Sequence, residues 1–162
     1  MTFKTADLCD EFDSEVQSAE PLFRDFGGLK TFAGEIVTLR VSDDNSLIRR
    51  ILEGPGAGRA LVVDGGASTR CALVGDVLAQ LAADNGWNGI VVHGCVRDSR
   101  ELGSIPIGLK ALHAVPRKSV KRGQGEPGAT LSFAGVTWAP GAHLYADPDG
   151  ILVSTRDLLK DR

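Results

Sequence analysis

Two short polar segments of the sequence combine residue types that suit a small anion bound beside a metal ion. Gly75-Asp76-Val77-Leu78 follows an apolar run and opens a stretch with helical periodicity, while Arg97-Asp98 follows a second apolar run. The first segment offers the unpaired N–H groups of a helix N-terminus, which attract anions, and Gly75 lets a ligand approach them. The second segment places a guanidinium next to a carboxylate, a pair that can serve an anion and an oxygen-bound metal.

A predicted β-α-β unit brings these two segments together. Arg70–Val74 and Gly89–Val92 are apolar runs typical of buried strands, and Val77–Asn85 between them has the apolar spacing of a helix. Such crossovers place their two strands parallel, so both strands end at the same edge of the sheet. Because ligands of open α/β sheets bind beyond that edge, the sequence predicts a site there.

The whole chain, residues 1–162, is predicted to form one α/β domain. Thr5–Phe12 and the segment after Asn45 have helical spacing, with Asn45 placed to cap the second helix. Gly34–Arg40 and Ala60–Val63 are rich in the residues that favour strands. Short strands alternate with turns toward the C-terminus, so we expect a central β-α-β unit and a β-rich C-terminal half.

Composition and charge exclude several classes of protein. Twenty of the 162 residues are glycine, well above the usual share of about 7%, so the backbone turns often. The net charge of −3 argues against direct binding to nucleic acid. No apolar run is long enough to span a membrane, and no secretion signal is visible. Three cysteines without paired spacing indicate reduced thiols, so we expect a cytoplasmic protein.

Each residue of the two polar segments also has a purely structural interpretation. Asp76 would only cap its helix, as Asp commonly does. Asp98 with Glu101 three residues later fits a capping box. Arg97 would form a surface ion pair of little energetic value. On local sequence alone, the structural and functional interpretations have similar weight.

Other polar residues give weaker signals. His93 and Cys95 share a face if they lie on one strand, either as a nucleophile pair or, as we favour, as a core histidine and thiol. His113 and His143 lack the spacing of metal ligands. The basic loop Arg117–Gly123 is a solvated loop, a surface for an anionic partner, or a funnel for an anionic substrate.

The order and spacing of these motifs resemble a known family. Gly75-Asp76-Val77-Leu78, Asn85-Gly86-Trp87-x-Gly89 and Gly94-Cys95-Val96-Arg97-Asp98 follow one another, with twenty residues between Asp76 and Arg97. This pattern resembles the family of regulator of ribonuclease activity A, which includes the class II 4-hydroxy-4-methyl-2-oxoglutarate aldolases. The similarity runs from roughly Thr5 to Val153, and in that family the spacing marks members with lyase activity.

The resemblance implies both an architecture and a reaction. The fold would be an α-β sandwich of the swivelling-domain kind, assembled as a ring-shaped homotrimer with sites near the subunit interfaces. The reaction would be metal-dependent cleavage of 4-hydroxy-4-methyl-2-oxoglutarate to two pyruvates, with oxaloacetate decarboxylation as a second activity. Both substrates are 2-oxo dicarboxylates, and both reactions pass through the enolate of pyruvate.

The resemblance also implies roles for the residues of the two segments. Asp98 would hold Mg²⁺ or Mn²⁺, partly through water, and the metal would act as a Lewis acid on the substrate. Arg97 would neutralise the charge that develops during the reaction. Asp76 would orient metal-bound water or the water that serves as base. The substrate carboxylate would bind at the helix N-terminus, on the amides of Gly75, Asp76, Val77 and Leu78.

One part of the family's site has no counterpart here. The dedicated aldolases are longer at the C-terminus and use an acidic residue from a neighbouring subunit. The late acids of this chain are Glu126, Asp147 and Asp149, and none matches that residue. Because this acidic residue has no match, we expect decarboxylation rather than efficient aldol cleavage.

The alternative function is that of a non-enzymatic regulator that binds and inhibits a ribonuclease. The family name and the basic loop favour it, and the acidic net charge would suit a basic partner. Some relatives carry a menaquinone methyltransferase name. No glycine-rich turn follows a first strand with an acid after the second, so we do not expect a site for S-adenosylmethionine.

Overall fold

A computed structural model describes residues 2–160 of the chain. The helices of this part are α1 (Thr5–Phe12), α2 (Ser46–Glu53), α3 (Asp76–Asp84) and α4 (Ser99–Leu102), with a 3₁₀ turn at Asp13–Glu15. Its strands are β1 (Val16–Ser18), β2 (Arg24–Asp25), β3 (Phe32–Arg40), β4 (Ala60–Asp64), β5 (Ala72–Val74), β6 (Gly89–Val96), β7 (Gly108–Ala114), β8 (Glu126–Pro127), β9 (Leu131–Phe133), β10 (Val136–Trp138), β11 (His143–Asp147) and β12 (Gly150–Ser154).

One large mixed sheet organises the described residues. Its strands follow the order β1-β12-β11-β3-β4-β6-β7-β2, while β5 pairs with β6 and β8 pairs with β3. The central strands β3, β4, β6 and β7 are parallel to one another, and the strands beyond β3 are antiparallel. Strands β9 and β10 form a separate two-stranded hairpin. Parallel strands need cover on both faces, which explains the continuous apolar runs of β4 and β6.

The two faces of the sheet bury two different apolar clusters. In β4, Leu61 and Val63 pack toward α2 and α3, whereas Ala60 and Val62 pack toward the C-terminal strands. This alternation follows from the two-residue side-chain period of a strand. Helices therefore cover one face and C-terminal strands the other, and the predicted α/β class is confirmed. Residues 103–160 contain strands, turns and bends without a helix, as predicted for the C-terminal half.

The predicted β-α-β unit is confirmed, with one change of boundary. β5 runs parallel to β6, with Ala72 opposite Cys95 and Val74 opposite Val96, and α3 connects the two strands. β6 continues four residues beyond the predicted end at Val92. After a register shift Val96 still pairs with β7. Arg97 therefore follows the strand directly.

No helix among residues 2–160 combines the length and apolar character needed to cross a lipid bilayer.

Candidate functional site

The ends of β5 and β6 bring the two polar segments to one cavity. The backbone N–H of Arg97 donates to the carbonyl of Val74 at 3.0 Å, which holds the two strand ends side by side. A cavity of about 190 Å³ opens at this point. The six residues predicted for the site all line it: Gly75, Asp76, Val77, Leu78, Arg97 and Asp98.

The carboxylate of Asp98 lies on the N-terminus of α3. Its Oδ2 accepts a hydrogen bond from the backbone N–H of Asp76 at 3.0 Å. Asp98 has the left-handed backbone angles φ 61° and ψ 42°, which Asp tolerates better than most residues. The capping box with Glu101 is wrong, because this carboxylate makes no side-chain cap on α4 and serves α3 instead.

Gly75 leaves room for that carboxylate. A Cβ at this position would lie 2.6 Å from Asp98 Oδ2 and 3.3 Å from Cγ of Arg97. Its φ of −125° is open to any residue, so the close approach and not the backbone angle requires glycine. The sequence predicts that Gly75 admits a ligand to the helix amides. In the structure it admits Asp98, and the Asp76 amide is already engaged.

Asp76 and Asp98 form a pair of interacting carboxyl groups. The hydrogen bond to Asp98 is the main cause that raises the pKa of Asp76, followed by partial burial and the negative charge of Asp98. Gly75 occupies the cap position of α3 and Asp76 its first turn, so the interpretation of Asp76 as the cap is wrong. Two carboxyl groups this close favour a proton or a cation between them.

The donor set fits a hard divalent cation. Within residues 2–160, no group of three or more His, Cys, Asp or Glu side chains is placed to hold a metal. Mg²⁺ does not need such a cage, since it retains several waters and binds through one or two carboxylates together with substrate oxygens. Asp98 with Asp76 beside it provides this arrangement, and a cation there would offset their repulsion.

Cationic side chains face the carboxyl pair across the cavity. Arg49 of α2 and Lys118 and Lys121 of the basic loop line it, and we call these three residues the cationic wall. With Arg97 they place four cations against two carboxylates. In the described part of the chain no ion pair forms with Arg97, so the surface ion pair proposed for it is wrong. The funnel interpretation of the basic loop agrees with this placement.

The sequence did not reveal Arg49 or Asn45 as residues of this cavity. Asn45 was predicted to cap α2, but it makes no cap bond; its amide donates to the carbonyl of Leu73 at 3.1 Å. Its Oδ1 accepts from Lys121 at 3.0 Å, which ties the basic loop to the start of α2. Arg49 lies on a separate helix, and no local motif marks it. Only the long-range packing of α2 against α3 could have identified both residues.

The weaker candidates have structural surroundings. Cys95 is fully buried, and burial raises the pKa of its thiol, which disfavours the nucleophilic thiolate. His93 places Nδ1 3.3 Å from Oδ1 of Asp64 and stacks on Phe133 with ring centroids 4.5 Å apart. These contacts agree with the interpretation of a core histidine and thiol.

The late acids lie away from the cavity. Glu126 forms an ion pair with Arg40 at 2.7 Å. Asp147 is buried and accepts hydrogen bonds from the backbone N–H and the hydroxyl of Thr5. These two carboxylates therefore have structural partners within the chain, and Asp149 does not line the cavity.

Comparison with known proteins identifies the family. The family model described as "RraA-like: Aldolase/RraA" matches residues 5–153. The chain belongs to the RraA-like family. This assignment confirms the resemblance seen in the sequence motifs.

Proteins similar to this chain carry different names. A protein of Dechloromonas aromatica (strain RCB) named "Putative 4-hydroxy-4-methyl-2-oxoglutarate aldolase" is 52% identical over 98% of this chain and 99% of its own length. The RNA-processing inhibitor RraA from Thermus thermophilis is 47% identical, with a TM-score of 0.93 over 99% of this chain and 98% of that one. A Geobacillus kaustophilus structure named as an S-adenosylmethionine: 2-dimethylmenaquinone methyltransferase is 50% identical, with the same TM-score over 97% and 98%.

Proposed function

We propose that this protein is a divalent-metal-dependent lyase. It cleaves 4-hydroxy-4-methyl-2-oxoglutarate to pyruvate and decarboxylates oxaloacetate. The observation that carries the proposal is the Asp76–Asp98 carboxyl pair, which faces Arg97 and the cationic wall in one small cavity. The aldolase name of relatives more than 50% identical over almost their full length supports the same reaction.

The carboxyl pair provides the metal site of this proposal. Asp98 would hold Mg²⁺ or Mn²⁺, with Asp76 beside it. When bound, the ion polarises the keto oxygen of the substrate and stabilises negative charge that develops on it. Asp98 keeps its orientation through the Asp76 amide, the kind of supporting hydrogen bond that fixes metal ligands.

The organic part of the substrate would be bound by the chain's own donors. Leu78 offers a backbone amide at the start of α3 that suits the pyruvyl carboxylate. The Asp76 amide already donates to Asp98, and the Val77 amide already interacts with the Asp76 carboxylate, so Val77 would have to exchange that partner for the substrate. Arg97 provides a planar guanidinium that can donate two hydrogen bonds to the enolate oxygens. Asp76, whose pKa is raised by its neighbour Asp98, can exchange a proton with a nearby water.

The charge balance and the size of the cavity select the substrate class. Four cations against two carboxylates leave an excess of positive charge, which a bound divalent ion would increase, so the cavity favours an anionic substrate. A volume of about 190 Å³ lies below the roughly 300–1,000 Å³ typical of sites for drug-sized ligands. The cavity therefore favours a 2-oxo dicarboxylate over S-adenosylmethionine.

The assembly and location belong to the same proposal. We propose a homotrimer with sites near the subunit interfaces, because the apolar side chain of Val77 at the cavity rim is 61% exposed and open to cover by a neighbouring copy. Light scattering on the purified protein would test the mass. The free thiols of Cys9, Cys71 and Cys95 suit the reducing cytoplasm, where we place the reaction.

The direct test is pyruvate release from each substrate in the presence and absence of Mg²⁺ or Mn²⁺. The rate with metal but without protein is the reference, because free metal ions also decarboxylate oxaloacetate. We expect a protein-dependent rate that disappears with a chelator. A rate that never exceeds the metal-only reference for either substrate would contradict the proposal.

A second candidate function is the inhibition of a ribonuclease. The 47% identity to the RNA-processing inhibitor RraA over almost the whole chain favours it. Co-purification with a ribonuclease, followed by an RNA-cleavage assay, would test this function. The absence of both complex formation and inhibition at micromolar protein concentrations would argue against this function. Both functions can coexist, since the cavity takes up only part of the surface.

A further inference from the structure

We propose that Asp44 is a positioning residue that holds the cationic wall in place, and this inference rests on the proposed function. Asp44 does not line the cavity and is only 2% exposed. Its two carboxylate oxygens join the two chain segments that supply the wall. One oxygen serves the region of the basic loop, and the other serves the start of α2.

The Oδ2 atom of Asp44 binds the chain just after the lysines of the wall. It accepts hydrogen bonds from the backbone N–H groups of Arg122 at 2.8 Å and of Gln124 at 3.2 Å. These amides follow Lys121, so the bonds fix the backbone direction of the segment that carries it. The adjacent N–H of Val120 donates to the carbonyl of Asp43 at 2.9 Å, which adds a third anchor.

The Oδ1 atom of Asp44 binds the first turn of α2. It accepts from the backbone N–H of Ser46 at 2.9 Å and from its hydroxyl at 2.6 Å. The same hydroxyl oxygen accepts the N–H of Gly123 at 3.1 Å. Asp44 thus fulfils the capping role predicted for Asn45, and it locks the basic loop onto the helix that carries Arg49.

Asp44 remains a carboxylate because of these donors. Burial acts to raise its pKa, but the hydrogen bonds from Ser46, Gln124 and Arg122 outweigh it and lower the pKa to about 2. No cationic side chain pairs with Asp44 in the part of the chain that the structure describes. A buried charge satisfied mainly by backbone amides is rigid, because moving the loop would leave it unsatisfied.

The substitution Asp44→Asn tests this role with little change in size. An amide group cannot accept at both oxygen positions, so either the two loop amides or the Ser46 donors lose their acceptor. Misplacement of binding groups by about 1 Å can cost up to about 100-fold in rate. We expect KM for oxaloacetate to rise about tenfold while kcat changes less than about threefold, since Arg97 and Asp98 stay in place.

The matched control is Asp43→Asn. Asp43 is the neighbouring residue, and its carboxylate pairs with the exposed Arg70 at 2.7 Å and not with the basic loop. Its φ of 55° is tolerated by Asn. We expect unchanged KM. If Asp44→Asn does not fold, Ser46→Ala removes only one link between Asp44 and the loop, and a smaller rise in KM is expected.

Two further measurements separate positioning from general destabilisation. In Asp44→Asn, hydrogen exchange should accelerate at the amides of Arg122 and Gln124 more than in the central sheet. Adding Lys121→Gln should raise KM much less in this background than in the wild type, because the lysine is already misplaced. Unchanged KM in a folded Asp44→Asn protein, or fully additive effects of the two substitutions, would overturn the proposal.

These outcomes are distinct from failure of the proposed function. If the wild type shows no metal-dependent lyase activity, the proposed function fails. Calorimetric titration with oxalate and Mg²⁺ then replaces KM. A tenfold weaker affinity in Asp44→Asn than in the wild type would still support the positioning role. An equal affinity in the two proteins, or no binding by the wild type, would overturn it.

Discussion

The substitution Gly75→Ala probes the packing of the site with a single added methyl group. The new Cβ would lie 2.6 Å from Oδ2 of Asp98, whereas ordinary contacts begin near 3.4 Å. The carboxylate must therefore retreat by about 0.8 Å, the difference between these two distances. This movement breaks its 3.0 Å hydrogen bond with the Asp76 amide.

The cost to folding is expected to be small and the cost to activity large. A hydrogen bond to a charged group contributes about 1.5–3 kcal/mol to stability. The Asp98 carboxylate is only half-buried, so hydrogen bonds to water would replace much of this contribution. We expect the free energy of unfolding to fall by about 1–2 kcal/mol, out of a typical 5–15 kcal/mol. A displaced metal ligand should lower kcat by up to about 100-fold, the loss that a 1 Å misplacement can cause.

Urea unfolding and metal-dependent pyruvate release measure the two effects separately. Gly103→Ala is the control, because its Cβ would meet only the carbonyl of Arg100 at an ordinary 3.5 Å. We expect the control to retain activity. Full activity in a folded Gly75→Ala protein would refute the view that the Asp98 carboxylate must lie against α3.

Further predictions concern Arg97 and Asp76. Arg97→Ala should lower kcat by about 10²–10³-fold, as the loss of an oxyanion donor does, while Arg100→Ala on the neighbouring α4 should not. Arg97→Ala should change the free energy of unfolding by less than about 0.5 kcal/mol, since this side chain is exposed. A larger decrease, measured by urea unfolding, would contradict this expectation. Asp76→Asn should raise Tm of the metal-free protein at neutral pH. The folded-state pKa of Asp76 is raised, so its ionised form destabilises the fold increasingly as pH rises above about 4. The gain in Tm should vanish below that pH, and a gain that persists at pH 3 would rule out this electrostatic cause.

The sequence predicted the elements that position the site because their signals are local. The apolar runs around Val74 and Val92 and the helical spacing after Val77 determine a β-α-β unit without knowledge of the rest of the fold. Parallel pairing then places Asp76 and Arg97 at one edge, where the structure also has them. The family motifs gave the same residues independently.

The interactions that the sequence did not predict depend on contacts between distant segments. The Asp98 carboxylate accepts its hydrogen bond from the amide of Asp76, which is 22 residues away in sequence. The sequence alone does not distinguish this contact from a local capping box with Glu101. Asp44 and Arg122 are 78 residues apart. Asp and Asn are equally good caps by residue type, so the sequence alone does not distinguish Asp44 from Asn45. The left-handed backbone of Asp98 also has no clear signature in a single sequence.

The central claim is that the Asp76–Asp98 pair binds a divalent ion that the lyase reaction requires. The most direct measurement is the rate of oxaloacetate decarboxylation as a function of Mg²⁺ or Mn²⁺ concentration, for the wild type and for Asp98→Asn. The account predicts a saturable, metal-dependent rate above the metal-only reference in the wild type and its loss in a folded Asp98→Asn protein. A wild-type rate equal to the reference, or an undiminished rate in the variant, would contradict it.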